Sequence, residues 1–255
     1  MDIDVDKLEQ KINQPQIGNY KLNMIGYGDP GSGKTTLGAT ANHHELMRKV
    51  FFLDLNGGML SVAEENDMIQ EIPKRAVPDG FPEVREWFWY LANEDHEYQT
   101  VVIDTFTDLQ ELNLQTIVGD KLNSKSRKGK KRKSIDDRWR EDYGESTSQL
   151  TRLAKAFCGL DMHTIFLCHK RKDQDDQKRE EVGPAVTPSL QTNLVGMVDI
   201  CAYMYITKDD DGDLVHRALF QQYDKFIAKD RSPGKKLPVT MDNPTLPRIL
   251  DTIIG

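Results

Sequence analysis

The feature that most constrains this chain is the run Gly28-Asp29-Pro30-Gly31-Ser32-Gly33-Lys34-Thr35, which fits the pattern GxxxxGK[ST]. It follows the apolar stretch Lys21–Tyr27 and opens into Thr36-Leu37-Gly38-Ala39, a helix start. Glycines at these positions let backbone N–H groups converge on phosphate oxygens, and the helix N-terminus behind them favours negative charge. In that setting Lys34 reaches the β- and γ-phosphates. Thr35 holds Mg²⁺ through its hydroxyl, and Thr36 lies near the α-phosphate. Residues 28–36 therefore imply a nucleoside triphosphate with Mg²⁺. The loop must also sit between a buried strand and a helix, which selects an α/β fold.

The remaining pattern agrees. Val50–Leu55, Thr100–Asp104 and Thr164–Cys168 are short, bulky and apolar, as strands buried on both faces of a parallel sheet should be. Helical stripes run over Pro82–Asn93 (Val84, Trp87, Phe88, Leu91) and Trp139–Leu160 (Trp139, Tyr143, Leu150, Leu153, Ala154, Phe157). Their spacing makes Trp87, Phe88, Trp139 and Tyr143 core residues before stacking residues, and Trp89 is read the same way. Asp199–Thr207 and Leu214–Phe220 flank an acidic turn and read as a β-hairpin. Phe226–Ala228 is a candidate edge strand and Pro244–Ile254 a closing helix. The expectation is a leader over 1–18 and one α/β domain over 19–255. That domain has a mostly parallel central sheet flanked by helices, with a C-terminal antiparallel hairpin. Asp104, ending a buried strand, is the natural partner of Thr35 in holding the Mg²⁺ water shell.

Charge is unevenly spread. With 34 Lys+Arg and 41 Asp+Glu the net charge is −7, yet residues 121–135 hold eight basic side chains and no acidic one. Seven of them, Lys125, Arg127, Lys128, Lys130, Lys131, Arg132 and Lys133, fall within nine positions. Like charges without apolar periodicity predict a mobile loop over about 121–135. A second polar loop is expected over about 170–184, where Lys170–Val182 carries five basic and five acidic residues. Cys158, Cys168 and Cys201 are scattered without a CxxC pair and read as reduced, mostly buried thiols of a cytoplasmic protein. No run of about 18 apolar residues is present, so no membrane span is expected. His43-His44 has no cysteine partners for zinc. Asp209–Asp213 is too short for a calcium loop and reads as a hairpin turn.

Taken together, Gly28–Thr35, Thr100–Asp104, Leu167-Cys168-His169 and Phe226–Arg231 resemble the RecA/DnaB-like core of P-loop NTPases. More narrowly, they resemble the phage-encoded RecA-like single-strand annealing recombinases, a family of phage nucleotide-binding AAA-type ATPases. The resemblance covers roughly residues 20–235. It implies an oligomeric ATPase, ring or filament, that binds single-stranded DNA in the host cytoplasm and works in phage recombination or replication. It places His169 where related enzymes sense the γ-phosphate. It also matches Lys229 and Arg231 to the Lys-x-Arg element that reaches a neighbouring protomer's triphosphate. DNA would be held by the loop after the Asp104 strand and its helix, through Lys125, Arg127, Lys128, Lys130, Lys131, Arg132 and Lys133, with steep salt dependence. One departure stands out. The family's general base is typically a Glu just beyond the second strand, and Asn56 stands there; Thr105 fills the other usual position. An amide orients water but does not accept its proton near neutral pH. Asp54, Glu64 and Glu65 are the nearby carboxylates, and a nucleotide-binding regulatory or scaffold protein with little hydrolysis is the competing reading.

Overall fold

A computed structural model describes residues 20–64, 69, 71–122, 132–174 and 178–255. The leader, Glu65 and five of the seven clustered cations (Lys125, Arg127, Lys128, Lys130 and Lys131) lie outside the described residues. The strands are β1 (Asn23–Gly28), β2 (Val50–Asp54), β3 (Lys74–Ala76), β4 (Thr100–Asp104) and β5 (His163–Gln174). They continue with β6 (Glu180–Pro184), β7 (Ile200–Lys208), β8 (Leu214–Leu219), β9 (Lys229–Asp230) and β10 (Thr240–Asp242). The helices are α1 (Lys34–Ala39), α2 (Phe81–Asn93), α3 (Phe106–Asp120), α4 (Arg140–Phe157), α5 (Pro188–Met197) and α6 (Leu246–Ile254).

One sheet runs in the order β10-β8-β7-β1-β5-β4-β2-β3, with β6 paired to β5 and β9 to β7. From β7 across to β3 the neighbours are parallel. The β7–β8–β10 edge is antiparallel, as the hairpin pattern implied. Every residue of β2 and β4 is buried, because helices cover both faces. Alternate side chains sort accordingly. Tyr27, Phe51, Ile103 and Phe166 pack under α2, α3, α4 and α5, while Met24, Phe52, Val102 and Leu167 pack under α1 and α6. This is the P-loop NTPase arrangement, and it brings the C-terminal ends of β1, β2, β4 and β5 to one edge.

Three expectations change. Residues 170–174 and 180–184 are not a loop: β5 runs on past His169 and pairs antiparallel with β6, from Lys170↔Pro184 to Gln174↔Glu180. The charges that suggested a mobile segment decorate a solvated hairpin, whose pairing comes from the backbone. The candidate edge strand shifts to Lys229–Asp230, with Phe226 making only isolated bridges. Tyr143 and Trp89 are exposed, at 37% and 58%, rather than core residues. No helix among the described residues is long and apolar enough to cross a membrane.

Candidate functional site

The phosphate loop is built by backbone demands. Gly28 ends β1 against β7, where an added Cβ would lie 2.2 Å from the Met204 carbonyl oxygen, so no other residue fits there. Gly33 caps α1 with φ 84°, a left-handed conformation that costs other residues free energy. Within this frame the Lys34 ammonium donates to the Gly28 and Asp29 carbonyl oxygens at 3.2 and 2.8 Å. The lysine is buried, and burial lowers its pKa while Asp104 pulls it back up. The Ser32 hydroxyl is buried inside the loop with no hydrogen-bond partner.

Facing the loop, Thr35 Oγ1 donates to Asp104 Oδ2 at 2.7 Å. Burial raises the Asp104 pKa, the Thr35 hydroxyl opposes that, and Asp54 across the β2–β4 pairing adds to it. Asp54 is fully buried, with one oxygen accepting from Arg75 at 2.9 Å and the other unpartnered. Gly58 closes this corner: a Cβ there would stand 3.3 Å from Asp104 Oδ2 and 3.4 Å from Thr35 Oγ1. A hydroxyl and two buried carboxylates, one of them with an unpartnered oxygen, are hard donors of the kind Mg²⁺ takes. The residues fit the ion, with Thr35 and Asp104 as its holders. Among the described residues no group of three or more His, Cys, Asp or Glu forms a separate metal site.

His169 lies beside the loop, in register with Gly28. Its Nε2 is 3.7 Å from Asp108 Oδ2, and Asn56 Nδ2 donates to the same oxygen at 3.2 Å. The Thr105 hydroxyl reaches that oxygen as well, while accepting from the Asp108 N–H at 3.1 Å. Asp108 escaped the sequence reading. The signal was Thr105-x-x-Asp108, an N-cap spacing that puts a carboxylate on the first helical turn just beyond the Asp104 strand. Asp29 is engaged by Lys170, the residue after His169.

Other expected site residues fall elsewhere. Lys229 and Arg231 sit at the start of β7, the end of the sheet opposite the loop, since Cys201 pairs with Lys229 and Ile200 with Asp230. Lys229 Nζ donates to the Val195 and Gly196 carbonyls, and Arg231 to Gly196 and Met197 at 3.4 and 3.1 Å. Both cations thus cap the C-terminus of α5, where the helix dipole favours them. Arg132 is 3% exposed and grips Asp142 with two hydrogen bonds of 2.7 and 2.8 Å, its guanidinium 3.8 Å above the Trp139 ring. It is an anchor and is withdrawn from any outside anion. Lys121 also reaches Asp142 Oδ1, at 3.4 Å. The two ends of the basic segment therefore close on one buried carboxylate. Burial alone would raise that carboxyl, yet Arg132, the Trp139 N–H and Lys121 together hold its pKa below the ordinary range. Lys133 is exposed, and its N–H donates to Asp137.

A family model described as an AAA domain matches residues 20–232. Comparison with curated proteins found no match. Among solved structures 118 chains match. One is an ATPase from the type III secretion system of pathogenic bacteria, at 12% identity, covering 72% of this chain with a TM-score of 0.44. This chain spans about half, 51%, of that ATPase chain.

Proposed function

The chain belongs to the AAA-domain family, and from that premise we propose that it is an Mg²⁺-dependent ATPase acting on single-stranded DNA in strand annealing or recombination. The observation that carries the nucleotide half is the Thr35–Asp104 hydrogen bond facing a lysine-bearing glycine loop. The loop N–H groups and Lys34 bind the triphosphate, and Thr35 and Asp104 hold the metal. When bound there, Mg²⁺ neutralises charge on the β- and γ-oxygens.

The DNA half rests on connectivity. Helix α3 begins one residue past the Thr105 cap of the Asp104 strand and ends at the segment bearing the clustered cations. The β5–β6 hairpin likewise grows directly from His169 and Lys170. A ligand on either element pulls on a residue of the nucleotide site, which is what ATP-modulated DNA binding requires. Self-assembly is part of the proposal. The Lys229–Arg231 pair would contribute to a neighbour's site only by leaving its helix cap.

The test is anisotropy of a labelled single-stranded oligonucleotide with Mg²⁺ and no nucleotide, ATP or a slowly hydrolysed analogue, at two salt concentrations. A Lys128→Ala/Lys130→Ala/Lys131→Ala variant runs alongside. Nucleotide-dependent, salt-steep binding that the variant loses supports the reading; no binding in any state refutes the DNA half. Lys34→Ala should abolish nucleotide binding in parallel. Asn56 favours one second reading, a nucleotide-dependent regulatory or scaffold protein, and tight ATP binding with negligible turnover and no DNA affinity would select it.

A further inference from the structure

We propose that Asp108 accepts the proton of the attacking water during ATP hydrolysis, the role for which the second strand offers only an amide. The inference rests on the reading of the Lys34–Thr35–Asp104 corner as the ATP site. Four carboxylates among the described residues surround that corner, and three are committed. Asp104 is taken by Thr35, Asp29 by Lys170, and Asp54 is fully buried and held by Arg75. Asp108 differs in its partners: it is one-third exposed and held by the neutral donors Asn56 and Thr105, whereas Asp29 and Asp54 each face a cation.

Three side chains from separate elements aim at one of its oxygens. Asn56, from the loop after β2, donates at 3.2 Å; Thr105, from the helix cap, donates its hydroxyl; His169, from β5, stands 3.7 Å away. The Asn56 side-chain oxygen Oδ1 itself accepts from the Gly58 N–H at 2.9 Å. A Cβ at Gly58 would stand against the Thr35–Asp104 pair, so Asp108 is linked to the metal corner through two residues, Asn56 and Gly58. Asn56 thus has a use without being a base: its amide positions the carboxylate that is.

Water oxygen bonds to the γ-phosphorus, and the bond from that phosphorus to the bridging oxygen breaks, its electron pair leaving with ADP. The water proton passes to Asp108 and then to solvent, giving ADP, phosphate and one proton. In phosphoryl transfer the base must orient the attacking water as well as take its proton, and a carboxylate does both.

The experiment compares Asp108→Asn, Asp108→Glu and His169→Gln with wild type in phosphate release, with single-stranded DNA present and absent. Nucleotide affinity and thermal unfolding of each variant are measured as well. Asp108→Asn should cut kcat by about 10²- to 10⁴-fold while nucleotide affinity stays within about threefold, and Asp108→Glu should restore part of the rate. Asp108→Asn with near-normal turnover, or His169→Gln losing all activity while Asp108→Asn keeps it, overturns the assignment. So does a wild-type protein that binds ATP and never hydrolyses it, which leaves the site itself standing. A wild type that binds no nucleotide refutes the site as well. If Asp108→Asn fails to fold, Asn56→Ala decides: a loss of about tenfold in kcat at unchanged affinity is expected, and no loss overturns the proposal.

Discussion

Replacing Arg132 with alanine should be the most damaging single change in the basic segment, through folding and not through DNA. Arg132 is 3% exposed and Asp142 fully buried, and the two share paired hydrogen bonds of 2.7 and 2.8 Å. Removing one partner leaves a buried carboxylate with only Lys121 at 3.4 Å and the Trp139 N–H to hold it. Breaking such a pair costs about 3–5 kcal/mol. A chain of this size shifts about 2–4 °C in Tm per kcal/mol, so the expected loss is roughly 6–20 °C. Differential scanning fluorimetry on Arg132→Ala, with Lys133→Ala as control, measures it; the control should stay within about 0.5 kcal/mol. Replacing the pair together by Met and Leu should recover most of the stability, because the desolvation cost disappears with the charges. A shift of under about 2 °C for Arg132→Ala, or an equal shift for Lys133→Ala, would refute the anchor and return Arg132 to the pool of DNA contacts.

Three further outcomes are expected. Gly38→Ala should destabilise by about 1–3 kcal/mol in urea titration, although alanine is the better helix former, because its Cβ would meet Phe52 Cζ at 2.9 Å and Val102 Cγ1 at 3.1 Å. His163 accepts from the Leu22 N–H on Nδ1 at 3.0 Å and faces the Leu46 carbonyl through Nε2 at 3.0 Å. Burial, with Lys21 and His44 nearby, lowers its pKa from 6.5 to about 4. The unfolded chain therefore binds more protons between those values, and the stability from a neutral His163, about 3 kcal/mol, is complete above pH 6.5 and lost as pH falls towards 4. His163→Gln should flatten that part of the urea-midpoint profile. Finally, Arg231→Ala should lower stability by about 0.3–1 kcal/mol, the worth of a helix-end cation, and leave nucleotide affinity of the isolated protomer unchanged in a fluorescent-nucleotide titration.

What the sequence determined by itself was whatever a short stretch of backbone must do. The phosphate loop was legible because its glycine spacing before Lys34-Thr35 is a local demand, with Gly33 at a positive φ, whereas the reason Gly28 admits no side chain, Met204 of β7, is tertiary. The strands Val50–Asp54 and Thr100–Asp104 were legible because burial on both faces leaves an unbroken apolar run. Tertiary structure decided what depends on convergence. Asn56, Asp108 and His169 lie on three elements 52 and 61 residues apart, and only the β1–β5–β4–β2 order brings them to one oxygen. The pairing of residues 170–174 with 180–184 stayed hidden because it is backbone hydrogen bonding between charge-rich segments, which leaves no hydrophobic period to read. Arg132 looked like its neighbours because charge is visible in a sequence and burial is not. Its partner Asp142 stands ten residues on, across a turn that places a carboxylate beneath one cation of the seven.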